Sequence, residues 1–190
     1  MNTTKNKSYI SINLLIVAFL FIAFNCDSYK KAIISFNERL KALQDTYIKD
    51  KSLSVIRAEL DYNNGNWTLE GETTNSILFS KLISYTDSLL TKENYVNKLM
   101  LLPDSTLGDS NFAIVNVSVT PLREKPRHSS QMVDQAILGN TIKLLRYSNG
   151  WYLAQTHYNY VGWINKTGLH VCDSTSKTNW ERQTIHYFHN

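Results

Sequence analysis

Two indoles and three phenols fall between Gly150 and Trp163, in the clusters Gly150-Trp151-Tyr152 and Tyr158-Asn159-Tyr160-Val161-Gly162-Trp163. Aromatic faces carry negative potential, so a Tyr beside a Trp can stack on a ligand or cap an ammonium group, worth roughly 0.5 to 2 kcal/mol. Tyr160 and Trp163 are the candidates for that role, and each has a plainer alternative: Trp151 and Trp163 also suit the core or rim of a small barrel. Arg123 either orders its own loop or meets a ligand carboxylate with its planar fork.

The other reactive side chains form no complete catalytic set. Cys172 stands in His170-Val171-Cys172-Asp173-Ser174 at the end of a short apolar run, where a small buried hydrophobe is the expected role. His170, two residues away, makes a Cys-His pair geometrically conceivable, without a third partner or an oxyanion donor to complete it. His186 and His189 are three apart, read as solvated tail histidines because no third metal ligand accompanies them. Glu70 and Glu72 are expected on the wet face of a strand. No glycine-rich phosphate loop occurs, and no cofactor is implied.

The aromatic clusters need a scaffold, and from Phe112 onward short strands separated by turns supply one. Ala113 to Val119 reads as a strand, followed by a loop with Pro121, Arg123, Pro126 and His128. Met132 to Ile137, Ile142 to Tyr147, Trp151 to Gln155, Tyr160 to Ile164 and Leu169 to Val171 bring the total to about six strands. Asn149-Gly150 is a strong type I′ hairpin turn, because both positions tolerate positive φ. The expectation is an SH3-like barrel over 111–172.

Within it, Asn116-Val117-Ser118-Val119-Thr120-Pro121-Leu122-Arg123, Ser129-Ser130-Gln131-Met132-Val133-Asp134-Gln135, Gly150-Trp151-Tyr152 and Tyr160-Val161-Gly162-Trp163-Ile164 follow in order. This series resembles the bacterial SH3 domain of NlpC-type cell-wall cysteine peptidases, above all the γ-D-glutamyl-L-diamino acid endopeptidases (dipeptidyl-peptidases) that trim peptidoglycan stem peptides. The resemblance implies a domain that helps form the pocket for the free N-terminal L-Ala of the stem peptide. A Tyr in the Tyr-x-Gly-Trp motif, matched by Tyr160, and a Glu, replaced here by Gln131, would supply contacts. A neutral amide accepts one hydrogen bond from an ammonium but lacks the carboxylate charge, so recognition at that position should be weaker. The Asp-Cys-Ser-Gly nucleophile context of these peptidases is missing. In the relatives a Trp-bearing helix leads from the barrel into the catalytic domain. Here Thr178 and Glu181 read as the capping box of a short helix bearing Trp180, within a helix or linker stub over 173–190.

The first half reads as a compact α+β unit over 26–103. Ile33, Phe36, Leu40, Leu43 and Tyr47 recur at helical spacing, which suits packing on a sheet better than a short coiled coil. Ile56, Ala58, Leu60 and Tyr62, then Trp67, Leu69 and Gly71, alternate with polar residues around Asn63-Asn64-Gly65-Asn66, a hairpin with one buried face. A second helix starts near Thr74 or Asn75 with Leu78, Leu82, Tyr85 and Leu89 on one face, and a third strand, Tyr95 to Leu102, stops at Pro103. The order resembles the BON-type domains of bacterial envelope proteins. The fold class is thus α+β: a small αββαβ domain, a boundary in 104–110, then an all-β SH3-like barrel.

At the N-terminus, Lys5 and Lys7 precede the apolar run Leu14 to Phe24, too short for a mature span, which takes about 20 residues. With Cys26 directly after it, residues 1–25 resemble a lipoprotein-type signal peptide with lipidation at Cys26; an ordinary cleaved signal and a retained anchor are the alternatives. Each places the rest outside the cytoplasm. Removing that lysine-bearing segment lowers the net charge from +4 to +2, which does not argue for a nucleic-acid partner. With Cys26 lipidated, only Cys172 remains and no internal disulfide forms. The expected protein is a non-catalytic, membrane-anchored envelope protein whose barrel binds the stem peptide or docks a peptidoglycan peptidase. Its alternatives are the truncated or split front half of such a peptidase and an envelope scaffold lipoprotein.

Overall fold

The computed structural model describes residues 28–50, 53–90 and 94–188; residues 1–25, expected to be a signal, Cys26 and His189 lie outside them, as does the side chain of His186. Helix α1 (28–47) is followed by strands β1 (Ile56–Asn63) and β2 (Asn66–Thr73), helix α2 (Ser76–Leu89) and strand β3 (Tyr95–Leu101). Strand β2 is central, antiparallel to β1 and parallel to β3, the α2 crossover allowing the parallel pairing. Asn75 caps α2 by accepting the Leu78 N–H at 2.9 Å. Phe36 and Leu43 of α1, Leu78 and Leu82 of α2 and Leu60, Trp67 and Leu69 of the sheet form one buried cluster, so α1 packs on the sheet. Tyr47, placed by spacing on the buried face of α1, is instead exposed, with the Lys81 ammonium 5.8 Å from its ring centre.

Seven strands make the second sheet: β4 (Phe112–Val115), β5 (Val119–Arg123), β6 (Met132–Ile137), β7 (Thr141–Ser148), β8 (Trp151–Gln155), β9 (Val161–Asn165) and β10 (Leu169–Cys172). Their order, β10-β4-β7-β8-β9-β5-β6, suits an SH3-like fold, and the whole is mixed α+β. The expected first strand is in fact two, broken at 116–118, and the expected loop around Pro121 and Arg123 is β5. Proline is tolerated there because β5 meets β9 only at Arg123↔Trp163, while its ladder to β6 runs from Val119 to Arg123. Asn149 and Gly150 have φ of 46° and 86°, as the type I′ turn between β7 and β8 requires.

Helix α3 (Ser174–Phe188) begins four residues before the expected Thr178 cap. Asp173 accepts the Ser176 N–H at 2.7 Å, and that bond holds its carboxyl below the usual range. Thr178 lies inside the helix, donating to the Ser174 carbonyl, and Glu181 accepts from Thr141 at 2.7 Å instead of closing a capping box. The Trp180 indole donates to the Gly139 carbonyl at 2.9 Å, so α3 is fastened to the barrel. Cys172 is buried, and burial first, then Asp173, pushes its thiol up from the ordinary 9.0. His170 is exposed, so the two do not form a shielded catalytic pair.

The two sheets meet through a third apolar cluster, Val55, Leu102, Leu145, Trp151, Leu153 and Trp163. A bulge in β7 creates it: the register moves from Leu144↔Ala154 to Arg146↔Leu153, so Leu144 enters the barrel core while its neighbour Leu145 enters the interface. The connection is bound rather than loose, with the Asp104 N–H donating to the Leu145 carbonyl at 2.8 Å. Arg146 Nε lies 3.1 Å from Glu72 Oε2, an ion pair in contact without the alignment of a hydrogen bond, and its guanidinium sits 5.2 Å from the Trp163 ring centre. Glu72, expected in solvent, is therefore only 5% exposed, whereas Glu70 remains open. The alternation put both on the same sheet face correctly, and the barrel covers one of them.

Replacing Arg146 with Met strands that carboxylate in an apolar contact. The expected loss is about 3 kcal/mol in urea unfolding, the low end for a broken buried pair since Arg146 is still 27% exposed, and adding Glu72→Gln should restore most of it. With Cys26→Ser in place, Cys172 should react with a disulfide reagent roughly tenfold or more slowly in the native protein than in urea, because its thiol is both covered and poorly ionised.

Candidate functional site

Strands β8 and β9 pair from Trp151↔Asn165 to Gln155↔Val161, and the residues between them carry Tyr158 and Tyr160. This loop is held at both ends. The Thr156 N–H donates to the Tyr160 carbonyl at 3.0 Å and the Asn159 N–H to the Thr156 carbonyl at 2.8 Å, with Asn159 at φ 69°. Gln155 Nε2 donates to the carbonyls of Asn159 at 3.2 Å and Leu53 at 3.0 Å, tying the loop to the segment that enters β1. Gly162 is required where β9 crosses β5 and β6: a Cβ there would lie 2.9 Å from Val133 Cγ2 and 3.0 Å from Leu122 Cβ. Tyr160 and Trp163 are thus set on either side of a tight crossing.

Between the two units lies a cleft of about 390 Å³, within the roughly 300 to 1,000 Å³ range of small-ligand sites. The barrel lines one wall with Glu124, Val133, Leu153, Tyr160 and Trp163; the segment entering β1, β1 itself and β2 line the other with Val55, Ile56, Arg57 and Glu72. Tyr160 is 44% exposed, while Trp163 is 5% exposed and has Arg146 over its ring. Tyr160 therefore offers an open ring, and Trp163 acts as wall instead of the expected stacking platform. A larger hollow, about 500 Å³, lies on the charged face of the first sheet and shares Arg57, Glu72 and Arg146 with this region. It is shallower and contains neither aromatic, so the smaller cleft is the better candidate.

The other two expected site residues are elsewhere. Arg123 lines a separate hollow of about 260 Å³ with His128 and Trp151, and its Nη1 donates to the Ser130 carbonyl at 2.7 Å. That bond ties it to the loop between β5 and β6. Gln131 is exposed and lines neither hollow; its carbonyl accepts the Glu124 N–H at 3.0 Å. Across that backbone bond, Glu124 places a carboxylate on the cleft at Tyr160's side. Motif matching pointed to position 131 and passed over Glu124, which stands in a loop without a motif of its own. The β5–β6 pairing was the only signal that would have joined the two positions.

Among the described residues, no group of three His, Cys, Asp or Glu side chains is placed to hold a metal ion, and no helix is long and apolar enough to cross a membrane. The cleft presents an open phenol, carboxylates, a guanidinium and apolar walls.

No curated protein matches the chain. Residues 118–170 match the bacterial SH3 domain family, a span that runs from the start of β5 into β10 and contains Tyr160, Trp163, Glu124 and the Gly162 crossing. Strand β4 belongs to the same sheet but precedes the matched residues. The chain thus carries a bacterial SH3 domain in its C-terminal half, packed against an α+β unit.

Proposed function

We propose that this is a non-catalytic envelope protein whose bacterial SH3 domain holds a cell-wall stem peptide in the cleft at Tyr160. The observation that carries the reading is the exposed Tyr160 ring in a cleft with an accompanying carboxylate, Glu124, inside the matched domain. Bacterial SH3 domains commonly serve as cell-wall-binding or protein-interaction modules. The similarity of the Tyr160-Val161-Gly162-Trp163 motif to that of NlpC-type peptidases favours a stem peptide with a free N-terminus. In this reading the segment before Cys26 is a lipoprotein signal, Cys26 carries the lipid, and the protein works at the outer side of a membrane.

A second reading, docking of a cell-wall peptidase, has one specific feature in its favour. Strand β6 stands at the end of the sheet order and exposes Met132, Val133, Ile137 and, just beyond it, Leu138. Such an edge suits a protein partner better than a short peptide in a cleft.

Titrating the full-length protein in detergent with muropeptides containing L-Ala-γ-D-Glu, while following Trp fluorescence, separates the two. Stem-peptide binding predicts a saturable change that Tyr160→Ala weakens by roughly fivefold, equivalent to about 1 kcal/mol of cation-π and stacking contact. An absent change at millimolar ligand, or equal affinity in the variant, contradicts it and leaves the docking reading.

A further inference from the structure

The charges lining the cleft are not all available. Glu72 faces Arg146 at 3.1 Å, and Arg146 also covers Trp163, so this acid and base answer each other. Arg57 and Glu124 remain. Both side chains are exposed, both line the cleft, and neither takes part in a salt bridge among the described residues. Arg57 stands opposite Glu72 in the β1–β2 register, but the carboxylate that would neutralise it is held by the barrel. Two opposite charges therefore stand on opposite walls, more than 4 Å apart, with apolar Val55 and Val133 lining the same space.

An unpaired guanidinium across from an unpaired carboxylate matches a molecule carrying the reverse arrangement. Resting on the reading of this cleft as the ligand site, we propose that it takes a short zwitterionic peptide, clamped between the two units. Glu124 of the barrel meets the ligand's ammonium and Arg57 of the α+β unit meets its carboxylate, using the bidentate geometry that guanidinium groups favour. Val55 and Val133 contact the small side chain between them. The α+β unit is then half of the recognition site instead of a spacer, and a free carboxylate on the ligand is a condition for tight binding.

Calorimetric titration of the full-length protein in detergent tests this with four probes: L-Ala-γ-D-Glu, its N-acetyl form, its carboxyl-amidated form, and the non-wall dipeptide L-Ala-L-Ala. Acetylation and amidation should each weaken binding roughly tenfold, the size of one charged hydrogen bond. Arg57→Gln should lose a similar factor for the parent dipeptide and almost nothing for the amidated one; Glu124→Gln should do so for the parent and not for the acetylated one. Both residues are exposed, so unchanged thermal unfolding is expected to accompany these losses. If L-Ala-γ-D-Glu binds with no dependence on Arg57 or Glu124, the clamp is wrong while the stem-peptide reading stands. If L-Ala-L-Ala alone binds, with that dependence, the clamp stands and the stem-peptide reading falls. Binding of neither dipeptide overturns both.

Discussion

Arg146 holds the structure's most consequential position, with its guanidinium against Glu72 of one unit and over Trp163 of its own. The bulge beside it decides where it points. By turning consecutive residues Leu144 and Leu145 into two different apolar clusters, β7 serves the barrel core and the inter-unit contact at once. Magnitudes divide the work between these groups. Side chains such as Leu145, Leu153 and Trp163 each contribute about 1.5 to 3 kcal/mol by burial, whereas a cation-π contact adds about 0.5 to 2. The ion pair adds little net stability, because desolvating Glu72 offsets much of its attraction. Apolar burial holds the units together, and the Glu72–Arg146 contact joins the Asp104–Leu145 and Gln155–Leu53 hydrogen bonds in fixing how they face each other.

That orientation is what makes the cleft. Its barrel wall comes from the Gly162 crossing and the fastened loop before β9; its other wall comes from β1, β2 and the segment leading into them. Neither wall encloses a site alone. The α+β unit brings Val55, Arg57 and Glu72 to its wall. Pairing Glu72 with Arg146 removes one acid from the cleft and leaves Glu124 and Arg57 to set its polarity. The same contact between the units therefore also decides which charges are left unpaired along the cleft.

Much of this was legible in one sequence, for local reasons. Alternation placed β1 and β2, Pro103 marked the end of β3, helical spacing placed α1 and α2, and Asn149-Gly150 marked a hairpin turn by its need for positive φ. The failures share a cause in tertiary pairing. Pro121 argued against a strand, yet β5 has room for it because its ladder pairing with β9 is confined to Arg123. Asp173 was hidden as a cap by the more familiar Thr178 and Glu181 pattern, whose members turned out to serve the helix interior and Thr141. Glu72 looked like any acid on a wet strand face until the barrel covered it. Tyr160 was singled out by its motif and does line the cleft, but Glu124 and Arg57 belong to no motif, and their placement on its two walls depends on the packing of two units.

The central claim is that these units form one body with a composite cleft between them. Backbone N–H residual dipolar couplings, fitted separately for β1–β3 and for β5–β9, test it most directly, because an interface of ordinary size between units leaves relative motion as the default. A single alignment tensor, equal in magnitude and direction for both sheets and consistent with the Glu72–Arg146 contact, is the predicted result. Two tensors of different magnitude or orientation would show that the units move independently, and the cleft as described here would not exist.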